Sequence, residues 1–238
     1  MKFTITKRVN CGVGIPDGKN IKIGEFTFLP DFEGENYARH IQVSVEASTQ
    51  DEAIFKSENL FSDFLAELAL IDDSKYSIGR DVSVKPEGSA TTTTTRSILA
   101  LAHIVQDGNT IKNAYEKNIM KKKLRKKPIR IYAEALNSIE IFEEYRNFYK
   151  VLECYGSTGE ITDWIKGQTR GMPMKKDKYG SDITVFTWIR HKLSHSKKGK
   201  KGVEPLLLSN SAHIALVSKY LPDLKKLARG KIKDEEKI

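Results

Sequence analysis

Near the C-terminal end of the sequence, Phe186–Ser196 reads FTWIRHKLSHS and places Arg190, His191 and His195 within six residues. A histidine titrates near neutral pH and can give or take a proton. An arginine stays charged and offers a planar fork that matches phosphate. The set can therefore hold an anion and move protons beside it. On an ideal helix, residues five apart differ by about 140° in azimuth, so Arg190 and His195 converge only if the helix ends or frays between them. His191 and His195, four apart, share a face.

The same residues allow other chemistry. His191-x-x-x-His195 has the spacing of a zinc-binding pair, but HKLSH carries no Glu beside the first His and no obvious third ligand, so no metal is assigned. Arg190 could instead tie helices together through Glu143, Glu144 or Glu153, leaving the histidines as surface residues. His103 and His213 lie alone on apolar faces, and Cys154 sits among apolar residues as an ordinary thiol. Gly12-Val13-Gly14 has no third glycine and no following helix, which is turn chemistry rather than a phosphate loop. No cofactor motif is present, and none is expected.

Basic residues surround the Arg/His segment. Lys192, Lys197, Lys198, Lys200 and Lys201 lie beside it, and Arg170, Lys175 and Lys176 fall in the glycine-containing stretch just before it. Together they could track a phosphate backbone. A third run, Lys121–Lys127, reads more simply as a solvated helix end. Tyr149, Tyr155 and Tyr179 are candidates for stacking on bases, Tyr149 being better suited to a core.

The elements that must position these residues read as helices. Ser97–Val105 is short and apolar, and Lys112–Lys127 is charged and helical at first. Pro128 suits the first turn of a long helix, Ile129–Tyr155, with a core face of Ala135, Leu136, Ile139, Phe142, Tyr145, Tyr149 and Leu152. Ser157–Glu160 has capping-box spacing. Asp182 can cap the helix carrying Phe186, Ile189 and Leu193. Ser209 or Ser211 opens a last helix, interrupted at Pro222, with a charged tail after Gly230. This is a bundle of about four main helices.

The N-terminal part has a different period. Lys2–Val9, Lys22–Leu29 and His40–Ala47 alternate as half-buried strands do. Asp51–Leu70 has helical spacing, with Ser48, Thr49 or Asp51 as N-cap, and a strand near Tyr76–Val84 follows. Pro86–Ser89 and the threonine run Thr91–Thr95 read as a linker. The expected fold class is α+β: a small strand-rich α/β domain over residues 1–90, then a helical bundle with a basic tail over 97–238.

Charge follows that division. The 238 residues hold 40 Lys+Arg against 31 Asp+Glu, a net +9. Residues 1–96 hold 11 and 15, a net −4, whereas residues 97–238 hold 29 and 16, a net +13. A basic half suggests a polyanionic partner. An apolar fraction of 39% excludes a disordered chain. No apolar run is long enough to span a bilayer. MKFTITKRVN lacks the apolar core of a secretory leader, so a cytoplasmic protein with its two cysteines reduced, and no membrane partner, is expected.

The string RHKLSH resembles the signature of the HEPN superfamily, an arginine, four to six residues and then a histidine, with a polar residue, here His191, often following the arginine. Its setting late in a helical bundle is similar too, and the aromatic helix containing FYKVLECYG resembles that of a MauJ-like subgroup with an α/β region before the HEPN-like domain. The resemblance covers roughly residues 97–230 and only vaguely 1–96. It implies a metal-independent endoribonuclease, of a defence or toxin type, acting at the cleft of a homodimer. It implies that Arg190 stabilises the phosphate and His195 transfers protons, with His191 assisting. The same fold also implies an alternative, a non-catalytic module that binds RNA or a protein. A protein regulator and the identity of the RNA are not written in the sequence.

Overall fold

The computed structural model describes the chain except for residues 31–34, 90–91, 96–104, 121, 170, 178 and 195–204. The chain combines helices and a sheet, an α+β arrangement. It divides into two compact units, Met1–Leu124 and Arg125–Ile238.

The first unit is built on a sheet. Strand β1 (Lys2–Gly14) lies between β4 (Tyr37–Glu46) and β5 (Ile78–Pro86), antiparallel to both. Strands β2 (Ile21–Ile23) and β3 (Phe26–Leu29) extend the β4 side. Sequence alternation alone gives one strand over Lys22–Leu29, but Gly24 takes a positive φ of 58° and turns the chain into a hairpin. On the other side, β6 (Thr93–Thr95) pairs with β5. Thr93–Thr95, within the run that reads as a linker, is thus a strand, as β-branched residues favour. Strand β7 (Val105–Asp107) runs parallel to the far end of β1. The short helix expected over Ser97–Val105 lies mostly outside the described residues, and its last residue, Val105, is in β7.

Helix α1 (Gln50–Asp72) crosses β1, β4 and β5, and α2 (Gly108–Asn118) packs beside it. Of the three N-cap candidates, Thr49 caps α1, accepting from the Glu52 N–H at 3.2 Å. The core lies between α1 and one sheet face. Phe26 stacks on Phe64 at 4.0 Å between ring centroids, with Ile5, Phe28, Ile41, Phe61 and Leu68 buried around them.

The second unit is a helical bundle with a small hairpin. Its helices are α3 (Lys126–Asn137), α4 (Ile141–Glu153), α5 (Thr158–Gln168), α6 (Val185–Ser194) and α7 (Ser211–Glu236). Helix α4 is central and packs on the other four. The single helix expected over Ile129–Tyr155 is broken at Ser138–Glu140. There the Glu140 carboxylate caps the N–H groups of Phe142 and Glu143, and Ile139, assigned to the core from its spacing, is fully exposed. The remaining residues of that predicted core face are buried. Ser157 and Glu160 form the expected capping box. Asn210, not Ser209 or Ser211, caps α7, which runs on through Pro222 and Gly230 to Glu236. Pro222 removes one i→i−4 bond in a helix of 26 residues without ending it.

Candidate functional site

Helix α6 carries the Arg/His segment, and its start is fixed locally. Strands β8 (Met174–Lys176) and β9 (Asp182–Thr184) form a hairpin within the stretch expected to be a loop, and α6 follows β9 directly. Asp182 lies in β9 and pairs with Lys176. The cap is supplied by Thr184, whose hydroxyl accepts from the Thr187 N–H at 3.2 Å. Helix α4 holds α6 at both ends. Tyr145 donates its hydroxyl to the Phe186 carbonyl at 3.2 Å, and Arg146 Nη1 donates to the Leu193 carbonyl at 3.2 Å.

Between these ties lies a buried hydroxyl cluster. Thr187 Oγ1 is 2.9 Å from the Tyr149 hydroxyl and 3.0 Å from those of both Thr162 and Thr184. One hydroxyl donates once and accepts twice, so three partners saturate Thr187. One turn further along both helices, Arg190 Nη2 pairs with Glu153 Oε1 at 2.7 Å, each side chain 24% exposed. Thr187 and Arg190 are three apart on α6, and Tyr149 and Glu153 four apart on α4, so the ion pair continues the row begun by the hydroxyls. Burial pushes the Tyr149 phenol above its ordinary pKa; the Thr187 hydrogen bond opposes that shift and the Glu153 charge adds to it. Tyr149 therefore stays neutral at physiological pH.

The solvent side of α6 follows from helical azimuths. Val185, Phe186 and Ile189 turn into the core, whereas Trp188, Arg190, His191 and Lys192 are half-buried. At about 100° per residue, His191 and Lys192 flank Trp188 around the axis, whereas Arg190 falls about 160° from Trp188, next to the buried Thr187. Two lysines converge on Trp188. The ammonium of Lys192 lies 4.5 Å from the ring centroid, and that of Lys175, reaching from the hairpin, lies 5.7 Å from it. Lys176 is turned to Asp182 at 2.8 Å.

Of the residues nominated from sequence, His191, Lys192 and Lys175 therefore gather around Trp188, Arg190 lies on the α4-facing row against Glu153, and Lys176 engages its own hairpin. His195, Lys197, Lys198, Lys200, Lys201 and Arg170 lie outside the described residues. Of the three tyrosines, Tyr149 is core, and Tyr155 is covered by the Arg125 guanidinium at 4.3 Å and donates to Glu236. Tyr179, at the hairpin turn, is 78% exposed. His213 Nδ1 accepts from the Leu207 N–H at 3.0 Å, and burial raises the pKa of the Cys154 thiol. Among the described residues, no group of three His, Cys, Asp or Glu is placed to hold a metal ion.

Glu153 is one of three acids that sequence spacing offers Arg190, and no sequence motif marks Trp188 or the threonine cluster. The missed signal was the matched spacing, Thr187/Arg190 on one helix against Tyr149/Glu153 on the other. Comparison with family models, curated proteins and solved structures gives no match, so the chemistry of the arc rests on its own residues.

Proposed function

We propose that the helical unit binds RNA and cleaves it without a metal, with two copies of the chain bringing two Arg/His segments to one cleft. The observation that carries this reading is the last part of α6 in a basic bundle, where Arg190, paired with Glu153, is followed directly by the half-buried His191 and Lys192. In this reaction the 2′-oxygen attacks phosphorus, the new O–P bond forms, and the bond from phosphorus to the 5′-oxygen breaks. A histidine takes the 2′-hydroxyl proton and a histidine returns one to the leaving 5′-oxygen; His195 is assigned to this work, assisted by His191. Arg190 meets the charge that builds on the phosphorane. Its guanidinium has five N–H donors, and Glu153 engages it through one nitrogen, which leaves donors for phosphate.

A second reading is favoured by the Arg190–Glu153 pair itself. A guanidinium already held by a carboxylate suits a module that binds RNA, or a protein, without cutting it. The experiment that separates the two is incubation of RNA in EDTA with the wild type, Arg190→Ala and His195→Ala. Chelator-resistant cleavage, falling about 100-fold or more in both variants, is the expected result. RNA that stays intact with nuclease-free wild-type protein, yet is retained in a binding assay, contradicts cleavage and leaves the binding module.

A further inference from the structure

Trp188 stands on the arc beside His191 with an ammonium group on each of two elements directed at its ring. Its position is held from both sides. On the helix, the Thr184 cap and the hydroxyl cluster fix the first turn of α6. On the hairpin, the Asp177 carboxylate accepts from the N–H groups of Tyr179 and Ser181, both at 2.8 Å, and Lys176 bonds Asp182 across the strands. Among the described residues, no carboxylate pairs with Lys175 or Lys192. An aromatic face flanked by two lysines without acid partners fits a ligand with a flat π-system and negative charge at its edges. A nucleotide has that shape, with a base to stack and phosphates on either side.

Resting on the RNA reading above, we infer that Trp188 is the stacking platform for one unpaired RNA base, with Lys175 and Lys192 taking the flanking phosphates. The substrate class is then single-stranded RNA, because a base inside a duplex has both faces covered by its neighbours. A base that stacks on Trp188 displaces an ammonium from the ring, and the displaced ammonium gains the base's own phosphate. The stack also anchors the strand on the side of α6 that carries His191.

The chain has two tryptophans, so Trp164→Phe leaves Trp188 as the sole indole reporter. In the full chain carrying Trp164→Phe and His195→Ala, fluorescence is titrated with a single-stranded RNA of about twelve nucleotides and with the same sequence as a duplex. The expected result is quenching by the single strand and little by the duplex. Trp188→Ala in place of the reporter is expected to weaken single-strand binding about tenfold or more in a filter assay, and Trp188→Phe to keep most of it. Lys175→Ala with Lys192→Ala is expected to flatten the salt dependence. The inference is overturned if a bound single strand leaves the fluorescence unmoved. It is equally overturned if duplex quenches as well, or if Trp188→Ala melts earlier yet binds unchanged, the mark of a residue that only pins the hairpin. Quenching in a protein that never cleaves RNA sinks catalysis and keeps the platform. A protein that binds no RNA at low salt overturns both.

Discussion

Each unit holds a cation against a glutamate from a neighbouring element, and the two pairs differ in what surrounds them. In the first unit, Lys7 points from β1 beneath α1, where its ammonium meets Glu58 at 3.3 Å and lies 5.9 Å from the Phe61 ring centroid. Among the described residues its neighbours are Ile54, Ile78, Gly79 and Val82, which form apolar walls. In the second, Arg190 meets Glu153 at 2.7 Å between α6 and α4, on a helix that also carries His191 and the lysine-flanked Trp188. A cation–carboxylate pair is therefore not in itself a site. What distinguishes Arg190 is its company: a histidine and an indole on the same helix, and two lysines directed at the indole.

The whole-chain charge separates along the same line. Met1–Leu124 holds 16 Lys+Arg and 17 Asp+Glu, whereas Arg125–Ile238 holds 24 and 14. The near-neutral unit pairs several of its lysines with acids, as in Lys2–Glu87 and Lys56–Glu52. The basic unit carries the excess that a polyanion would meet.

Substitutions can break or sharpen this contrast. The largest effect on folding is expected at Thr187, where Val keeps the shape but leaves the hydroxyls of Tyr149, Thr162 and Thr184 without their shared partner. Thr187→Val is expected to cost about 1–3 kcal/mol in urea unfolding, with RNA binding falling alongside. A smaller effect is expected at Lys7. Glu58 is 57% exposed and keeps its water, and a methionine stem can occupy the space of the lysine stem against Phe61. Lys7→Met is therefore expected to stay within about 1 kcal/mol of the wild type, and RNA binding to be unchanged. Lost RNA binding in Lys7→Met would erase the distinction between the two pairs.

Much of the fold was legible where local chemistry decides it. The alternation of Ile41, Val43 and Val45 gave β4, and Ser157 with Glu160 gave the start of α5, because each signal lies within a few residues. What was hidden depended on competition between local choices. The break at Ser138–Glu140 was masked by apolar spacing that continued through Ile139, and Pro222 suggested an interruption that the packed helix does not make. Thr93–Thr95 is a strand through its pairing with the edge of β5, which lies outside its own sequence neighbourhood. At the site, a helix carrying Arg190 and His191 was readable, as was the possibility of an acid partner for Arg190. The convergence of Lys175 and Lys192 on Trp188 was not, because a hairpin brings together residues that sequence spacing keeps apart.

What the Arg190–Glu153 pair is for can be measured directly. Glu153→Gln keeps the side-chain shape and frees the guanidinium, with Asp163→Asn, an exposed acid paired to Lys166 on α5, as the control for lost negative charge. If Arg190 serves RNA, Glu153→Gln binds single-stranded RNA several-fold tighter than the wild type, and Asp163→Asn does not. If the pair only ties α4 to α6, as Lys7 and Glu58 join β1 to α1, Glu153→Gln loses stability and its RNA affinity matches the control.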